Sequence, residues 1–355
     1  MADPKTPHTP ERVALFNKVM AGNIEVEIGT SPRELVYERD RLCLYRYTSS
    51  TPARYKTPIL LIYSLVNRPS VLDLQPGRSV IEHLVQSGYD VFLVDWGRPD
   101  PLDQHNDLND YVSLFIRTAV RKVCEKVGVP QLHLLGYCMG GCLAAMYTAL
   151  YPDKVKTLTL LGTPLNFRSN QLLYKWGTHP DRFDSRKIVD AWGMAPAWSF
   201  DGYSLLIVDS KPKRMQHLYD NLDDAEFLEN YLAMDQWVND NVSMPGAVYA
   251  EFCHTCFKEN RLIEGKLELG GRKVDLTSVK CPVLLIAGKS DHLVPPETTC
   301  IENGPFENVS SILADSGHIG LSVSRGSLKK VWPRAVEWFN QHSEVAEMAT
   351  SAAKG

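Results

Sequence analysis

Apolar and polar positions fall into two kinds of pattern along this chain. Short, nearly continuous apolar runs, typical of strands that are covered on both faces, predict buried strands. We assign these strands to residues 58–64, 90–94, 132–135, 157–161, 282–287 and 309–313. Segments whose apolar residues recur three or four positions apart predict helices. We assign these helices to residues 11–21, 79–87, 108–127, 139–150 and 329–342.

Strands and helices alternate across residues 58–162, and this order predicts a mostly parallel sheet. Each parallel strand needs a crossover connection, so helices should cover both faces of the sheet. Residues 34–47 contain two runs of alternating polarity, which predict a hairpin at the edge of the sheet. In open parallel sheets the reactive groups lie beyond the carboxyl ends of the strands, and we expect the functional site there.

The alternating pattern stops near Pro164 and returns with residues 282–287. Between these points the sequence consists of helical segments, aromatic residues and polar turns. We expect this segment to be an inserted, mainly helical cap, or lid; a packed subdomain without a catalytic part is the alternative. The predicted division is an N-terminal extension at 1–33, a core at 34–164 and 276–342, a cap at 165–275 and a flexible tail at 343–355.

Length and composition are those of an ordinary globular protein. A chain of 355 residues, 44% hydrophobic and 23% charged, can build one large core with an inserted subdomain. The formal net charge of −4 does not favour nucleic-acid binding, and the CHTC segment at 253–256 lacks the second ligand pair of a zinc site. No apolar run approaches the roughly 18 residues of a transmembrane span, and the N-terminal residues lack the apolar region of a secretory signal. We therefore expect a cytoplasmic protein whose eight scattered cysteines are reduced.

The most informative segment is residues 131–150, where a predicted strand, a tight turn and a predicted helix follow one another. The turn GYCMG at 136–140 has the nucleophile-elbow pattern G-x-S-x-G, with Cys138 in the place of serine. Glycine is needed at both ends because larger side chains would collide with the neighbouring strand and helix. The amides at the start of the helix should lower the thiol pKa and offer donors to an oxyanion. A buried, unreactive thiol is the alternative.

An acid and a histidine follow later predicted strands. Asp291 comes after the strand at 282–287, and His318 follows the last predicted strand. Nucleophile, acid and histidine occur in this order in the α/β-hydrolase fold. Cys138, Asp291 and His318 should therefore meet at one edge of the sheet. Five other residues could be considered for these roles, but we do not expect them to belong to the catalytic group. Two lie near Asp291 or His318 and three lie on predicted helices or strands or in the segment at 253–256: Asp315, His292, His83, His133 and His254.

Two backbone N–H groups are the expected oxyanion donors. One belongs to Met139, directly after the nucleophile, and the other to Val66, in the loop after the first long buried strand. Asn67 is expected to brace that loop. Each donor of this kind typically contributes about 3 kcal/mol of transition-state stabilisation.

Cysteine at the elbow favours acyl transfer over hydrolysis. A thiolate that attacks a thioester exchanges one thioester for another with little change in free energy, and the acyl-enzyme keeps a high transfer potential. Passing the acyl group to an alcohol is then downhill. A Cys–His pair also contains far more thiolate than a serine contains alkoxide. We therefore expect transfer from coenzyme A thioesters to a hydroxyl group.

Several longer segments make the chain recognisable. They are LVYERDRLCLYRY, PILLIYSLVNRPSVLDLQPGRS, YDVFLVDWGRPD, LLGYCMGG with YTALYPDKVKTLTLLGTPLNF, CPVLLIAGKSDHLVPP and SGHIG. With these segments the chain resembles the catalytic subunit of the short polyhydroxyalkanoate synthases, of the class III type and nearly as well of the class IV type. The resemblance covers most of the chain and is looser over residues 165–265.

The resemblance implies that Cys138 is the acylated nucleophile and that His318 is its base. It implies that Asp291 works with His318, and Asp291 is also a candidate for activating the hydroxyl of the growing chain. It implies an (R)-3-hydroxyacyl-CoA substrate, usually short-chain such as 3-hydroxybutyryl-CoA, release of coenzyme A, and no further cofactor. It also implies a cap over Cys138, an accessory synthase subunit of the PhaE or PhaR type, a homodimer or hetero-oligomer, and a place on the surface of polymer granules. A thiol hydrolase of the thioesterase or dienelactone-hydrolase kind and an inactive granule-surface protein are the alternatives.

Overall fold

The computed structural model describes residues 9–22, 24–48, 52–179, 181–201, 211–301 and 304–346. Its strands are β1 (Arg33–Arg39), β2 (Leu42–Tyr47), β3 (Ile59–Ile62), β4 (Asp73–Gln75), β5 (Arg78–Ser79), β6 (Val91–Asp95), β7 (Leu132–Tyr137), β8 (Val155–Leu161), β9 (Met194–Ala195), β10 (Met244–Pro245), β11 (Leu267–Leu269), β12 (Arg272–Val274), β13 (Val283–Gly288) and β14 (Val309–Ala314). Eight of them form one sheet in the order β1-β2-β6-β3-β7-β8-β13-β14. The first two pairings are antiparallel and the others, from β6 to β14, are parallel.

The α-helices of the described residues are α1 (Pro10–Met20), α2 (Val80–Gln86), α3 (Arg117–Val127), α4 (Met139–Leu150), α5 (Leu172–Gly177), α6 (Ser185–Trp192), α7 (Lys211–Asp220), α8 (Ala225–Val238), α9 (Gly246–Phe252), α10 (Pro296–Thr299), α11 (Gly320–Val323), α12 (Arg325–Lys330) and α13 (Trp332–Gln341). Two π-helices, Asp110–Ile116 and Cys253–Lys258, lie directly before α3 and directly after α9. Short 3₁₀ turns occur at Pro69–Leu72, Pro101–Asp103, Pro152–Lys154, Ala197–Phe200 and Leu276–Ser278. Within the described ranges, no helix combines the length and the apolar character that crossing a bilayer demands.

Both faces of the sheet are covered, as the continuous apolar runs predicted. Along β3, Leu60 and Ile62 point into the cluster that contains α3 and α4, whereas Ile59 and Leu61 point into the cluster that contains α2 and α13. These four side chains are almost completely buried. The predicted fold class, a mostly parallel sheet with helices on both faces, is confirmed.

Two predicted helices differ from the structure in detail. The helix predicted at 108–127 begins as the π-helix and becomes α-helical only at Arg117. The helix predicted at 329–342 is two helices, α12 and α13, because Pro333 has no N–H to donate and its ring would collide with the carbonyl of Lys329 in a continuous helix. The hairpin predicted at the sheet edge is confirmed as β1 and β2.

Residues 165–275, which we call the cap segment, lie between β8 and β13 and contain α5 to α9. Short antiparallel pairs, β9 with β10 and β11 with β12, add to its helices. The N-terminal helix α1 packs against α7 and α8, and the buried guanidinium of Arg12 donates to the carbonyl of Tyr219 at 2.6 Å. The division of the chain into extension, core, cap and tail stays a prediction, and residues 1–8 and 347–355 of the extension and tail lie outside the described residues.

Candidate active site

Cys138 occupies the turn between β7 and α4. Its backbone adopts φ 55° and ψ −127°, a conformation that non-glycine residues rarely adopt and that is found at strained functional turns. The Cys138 amide donates to the carbonyl of Leu161 at 2.9 Å, and the Cys138 carbonyl accepts from Gly141 at 2.9 Å. These bonds fix the turn between the sheet and the helix, and the half-buried side chain lies beyond the end of β7.

Close contacts require glycine on both sides of the nucleophile. A Cβ atom on Gly136 would lie 2.4 Å from the Cα of Gly141, and one on Gly140 would lie 2.4 Å from the carbonyl oxygen of Ile62. Both distances are far below van der Waals contact, and the neighbouring atoms belong to the backbone, which cannot rotate away as a side chain can. The structure therefore gives the physical reason for the glycines of the elbow pattern.

His318 and Asp291 form a buried pair at the same edge of the sheet. Nδ1 of His318 lies 2.7 Å from Oδ2 of Asp291, and the two side chains are only 4% and 0% exposed. The other carboxylate oxygen accepts hydrogen bonds from the amides of Leu293 at 3.0 Å and Val294 at 2.7 Å. A carboxylate held in this way places the imidazole proton on Nδ1 and leaves Nε2 for the reaction.

The electrostatic surroundings of His318 favour its protonated form. Burial alone would lower the pKa of His318, but the charges of Asp291 and of the Cys138 thiolate, with side-chain hydrogen bonds to both, raise it to about 10. The charged imidazolium is thus the favoured form of His318 at neutral pH, with the Asp291 carboxylate bound to Nδ1. A thiolate beside an imidazolium is the reactive form of a cysteine nucleophile.

Tyr137 contacts His318, a role that the sequence does not reveal because an aromatic residue in a buried strand resembles any core residue. Its ring stacks on the imidazole with centroids 5.1 Å apart and an angle of 29°. Its hydroxyl donates to the backbone carbonyl of His318 at 2.9 Å. Tyr63 packs edge-on against Tyr137 with centroids 5.5 Å apart, so the imidazole of His318 packs against a cluster of two buried tyrosine rings.

The predicted oxyanion residues lie beside the nucleophile. Met139 is the first residue of α4, and the first N–H groups of a helix have no partner within the helix. The Val66 amide donates to the hydroxyl of Ser64 at 3.3 Å. Asn67 accepts a hydrogen bond from the hydroxyl of Tyr63 at 3.0 Å. The oxyanion roles of Met139 and Val66 and the bracing role of Asn67 stay predictions.

The weaker sequence candidates have other partners. Asp315 is exposed and binds Nζ of Lys289 at 2.6 Å. His133 is buried, hydrogen-bonds with Thr157 at 2.8 Å, and burial lowers its pKa to about 3. His254 lies 3.4 Å from a carboxylate oxygen of Glu259, on the cap segment. His292 is exposed, and His83 lies on α2.

Cys138 and His318 line a cavity of about 110 Å³ that the cap segment covers. A cavity of about 150 Å³ holds benzene, so this one has room for a group somewhat smaller than benzene. Among the described residues of its lining, none is Asp, Glu, Lys or Arg. The cap contributes these lining residues: Leu173, Tyr174, Phe200, Trp237, Val238, Asn241, Met244, Tyr249, Phe252, Cys253 and Phe257.

Comparison with known proteins agrees with this fold. A family model of the alpha/beta hydrolase fold matches residues 57–323, and a model of the N-terminus of poly-beta-hydroxybutyrate polymerase matches residues 16–84. Among solved structures, a soluble variant of monoglyceride lipase from Saccharomyces cerevisiae has a TM-score of 0.56 at 15% identity, with 90% of this chain and 98% of the lipase covered. The chain is therefore an α/β-hydrolase-fold protein.

Relatives of higher identity define the family more narrowly. The poly(3-hydroxyalkanoate) polymerase subunit PhaC of Haloferax mediterranei is 39% identical over 325 residues, which are 90% of this chain but only 66% of that relative. The subunit of the same name from Thiocystis violacea is 38% identical over 328 residues, with 90% of both chains covered. The chain belongs to the family of poly(3-hydroxyalkanoate) polymerase subunits. The resemblance drawn from the sequence is confirmed at the level of the family, and the class III or class IV assignment stays a prediction.

Proposed function

We propose that this protein is a polyester synthase, an acyltransferase that polymerises (R)-3-hydroxyacyl groups from coenzyme A thioesters. The observation that carries the proposal is a cysteine at the nucleophile elbow, in one cavity with an imidazole that is bound to a buried carboxylate. The names of the relatives support acyl transfer into a poly(3-hydroxyalkanoate).

The first half-reaction loads the enzyme. The thiolate of Cys138 attacks the thioester carbonyl and forms a new C–S bond, while the oxyanion accepts hydrogen bonds from the predicted donors at Met139 and Val66. The bond between the carbonyl carbon and the sulfur of coenzyme A then breaks. The proton on Nε2 of His318 passes to the departing thiolate, so coenzyme A leaves as a thiol. Asp291 holds the opposite side of the imidazole in place throughout.

The second half-reaction extends the polyester. The 3-hydroxyl group at the end of the chain attacks the acyl-cysteine carbonyl, and neutral His318 accepts the hydroxyl proton. The C–S bond to Cys138 breaks and restores the thiolate–imidazolium pair. A thioester becomes an oxyester in this step, which makes the transfer downhill. The apolar lining supports this route, because it suits a hydrocarbon acyl group better than it suits water.

The finer assignments are part of the same proposal. A cavity of about 110 Å³ supports a short acyl group such as 3-hydroxybutyryl. The sequence resemblance supports an accessory subunit of the PhaE or PhaR type, assembly as a homodimer or hetero-oligomer, and a position at the surface of polyester granules. Coenzyme A is the leaving group, and no resident cofactor takes part in the proposed steps.

The test is an assay of coenzyme A release from (R)-3-hydroxybutyryl-CoA together with recovery of insoluble polymer. Cys138→Ala should abolish both. Cys142→Ala is the matched control, since Cys142 lies one helical turn away, is fully buried and donates to the carbonyl of Pro164 at 3.1 Å. Its variant should keep most of the activity.

Two results would contradict the proposal. Polymer formation by Cys138→Ala would show that the nucleophile is another group. Release of coenzyme A with free 3-hydroxybutyrate and no polymer, in the presence of either type of accessory subunit, would identify a thiol hydrolase of the same fold.

A further inference from the structure

The cap segment contains a π-helix, Cys253–Lys258, that continues directly from α9. The amide of Glu259 donates to the carbonyl of His254, five residues earlier, at 3.1 Å. This i to i+5 bonding defines a π-helix, a rare element that is frequently found at functional sites. Here the π-helix borders the cavity that contains Cys138.

The π-helix brings Phe257 to the same wall of the cavity as Phe252, the last residue of α9. Phe252 and Phe257 are five positions apart, and both line the cavity together with Cys253. In an α-helix with 3.6 residues per turn, side chains five positions apart point about 140° away from one another. The wider π-turn instead brings residues five apart close to the same face. The aromatic surface on this side of the cavity therefore depends on the π-turn.

Tyr174 completes this surface, which we call the aromatic wall (Tyr174, Phe252 and Phe257). The ring of Phe257 lies 5.8 Å from that of Tyr174 and 6.2 Å from that of Phe252. Phe167 is fully buried behind the wall, with its ring 4.7 Å from that of Phe257. Arg168 donates to the carbonyl of Phe257 at 2.8 Å. Because these rings are close-packed and are supported by Phe167 and Arg168, the surface should move little to accommodate a larger ligand.

Several polar groups of the cavity lie in another part of its lining, the loop after β3. Asn67 forms an isolated β-bridge with Asn241, and Ser64 lies in the same loop as Asn67. Val66, a predicted oxyanion donor, is also in this loop. The carbonyl of a bound thioester would accept hydrogen bonds beside this loop. The alkyl part of the acyl group would then contact the apolar lining. The aromatic wall is the rigid part of that lining.

We propose that the aromatic wall limits the length of the alkyl side chain on an acyl group bound to Cys138, with Phe257 as the main stop. The inference rests on the proposed function and extends it to the side chain of the monomer. Cys253, which also borders the wall, is not a second acyl acceptor, because burial raises the pKa of its thiol to about 12. It contributes to the surface and not to the chemistry.

The first experiment measures how fast maleimides of different length label Cys138. Phe257→Ala and Phe252→Ala should each open the cavity, and Phe227→Ala is the matched control, an aromatic residue of α8 that packs in the cluster with α1. Labelling by N-methylmaleimide and N-hexylmaleimide is followed on the peptide that contains Cys138. The hexyl-to-methyl rate ratio should rise about tenfold in Phe257→Ala, by less in Phe252→Ala, and not at all in the control.

The second experiment compares coenzyme A release from (R)-3-hydroxybutyryl-CoA and (R)-3-hydroxyhexanoyl-CoA by the same proteins. Phe257→Ala should shift the preference toward the longer substrate by roughly tenfold, the factor expected when two methylenes gain apolar surroundings. If the unaltered protein releases no coenzyme A in the presence of either type of accessory subunit while the maleimide ratio still rises, the proposed function fails and the steric limit stands.

An unchanged maleimide ratio in folded Phe257→Ala would overturn the inference, whatever the coenzyme A assay shows. Folding is checked by circular dichroism and thermal unfolding. If Phe257→Ala does not fold, Phe257→Leu decides the question, since it keeps an apolar residue and removes the ring. Its hexyl-to-methyl ratio should rise at least threefold, and equality with Phe227→Ala would refute the proposal.

Discussion

Replacing Asp291 with asparagine tests how the buried carboxylate controls His318. One carboxylate oxygen accepts from the amides of Leu293 and Val294, and the other lies 2.7 Å from Nδ1 of the imidazole. An asparagine of the same shape keeps its oxygen on the two amides and turns its NH₂ group toward the imidazole. Nδ1 must then accept a hydrogen bond, so the proton moves to Nε2, the nitrogen that should act on Cys138.

The expected loss in kcat for coenzyme A release is about 10³- to 10⁴-fold, or roughly 4–5.5 kcal/mol at 1.36 kcal/mol per factor of ten. A loss of this size occurs when a triad carboxylate becomes an amide and the imidazole takes the wrong tautomer. The same change removes a negative charge from a fully buried site. Burial, which lowers the pKa of His318, is then opposed only by Cys138, so the thiolate–imidazolium pair is weakened.

The rate at which iodoacetamide alkylates Cys138 measures the thiolate–imidazolium pair directly, without catalytic turnover. In the unaltered protein the rate should change little with pH as long as His318 is protonated, which its pKa of about 10 ensures through neutral pH, since the imidazolium keeps a positive charge beside the sulfur. In Asp291→Asn the rate should be low at neutral pH and rise with pH, as for an ordinary thiol with a pKa of about 8.5.

Asp315→Asn is the matched control, because Asp315 is exposed, bound to Lys289, and in the same loop as His318. Its kcat and its pH profile should equal those of the unaltered protein. The account of the site would be wrong if Asp291→Asn kept kcat within threefold and showed the same flat alkylation profile.

Two further substitutions test the packing around the nucleophile. Gly140→Ala should destabilise the protein by about 3 kcal/mol or more in urea unfolding, because its Cβ would lie 2.4 Å from the carbonyl oxygen of Ile62. Gly326→Ala is the control. Its Cβ would meet no atom closer than 3.9 Å, so stability should change little. Tyr137→Phe should lower stability by about 0.5–1.5 kcal/mol and kcat roughly tenfold, because the carbonyl of His318 loses its hydroxyl donor and keeps only the longer bond from the Leu321 amide, at 3.2 Å, while the ring contact remains. Unchanged unfolding midpoints and kcat in that variant would exclude a supporting role for the hydroxyl.

Much of the core could be predicted because its strands are buried on both faces. Such strands leave continuous apolar runs in the sequence, as in β3, β7 and β13, where every residue is buried. Cys138 and Asp291 follow two of these strands. Because parallel strands end at the same edge of the sheet, the topology alone predicts that both residues lie at one edge.

The last strand and the last helix leave weaker signals in the sequence for physical reasons. Strand β14 lies at the edge of the sheet and exposes most of its residues, so its apolar run is broken by serines. The break between α12 and α13 did leave a mark in the sequence, Pro333, which apolar spacing alone ignores.

Contacts between distant segments left no mark in the sequence. The hydroxyl of Tyr137 meets the carbonyl of His318 across 181 positions, and only the folded sheet brings them together. The π-helix is equally hidden, because the apolar spacing around Phe252 and Phe257 can be accommodated by an α-helix or a π-helix. Packing against Phe167 and Tyr174 accompanies the π form in the folded protein.

Hydrogen bonds between the cap segment and the loop after β3 connect the covering of Cys138 with the predicted oxyanion site. The amide of Val242 donates to the carbonyl of Val66 at 3.1 Å, and the indole of Trp237 donates to the carbonyl of Arg68 at 2.9 Å. Both acceptors flank the loop whose amide is the predicted donor. Movement of residues 237–242 must therefore break these bonds or carry the loop with it. The contact through which the cap segment covers the thiol is thus also its contact with the loop of the predicted donor, so movement of one is coupled to movement of the other.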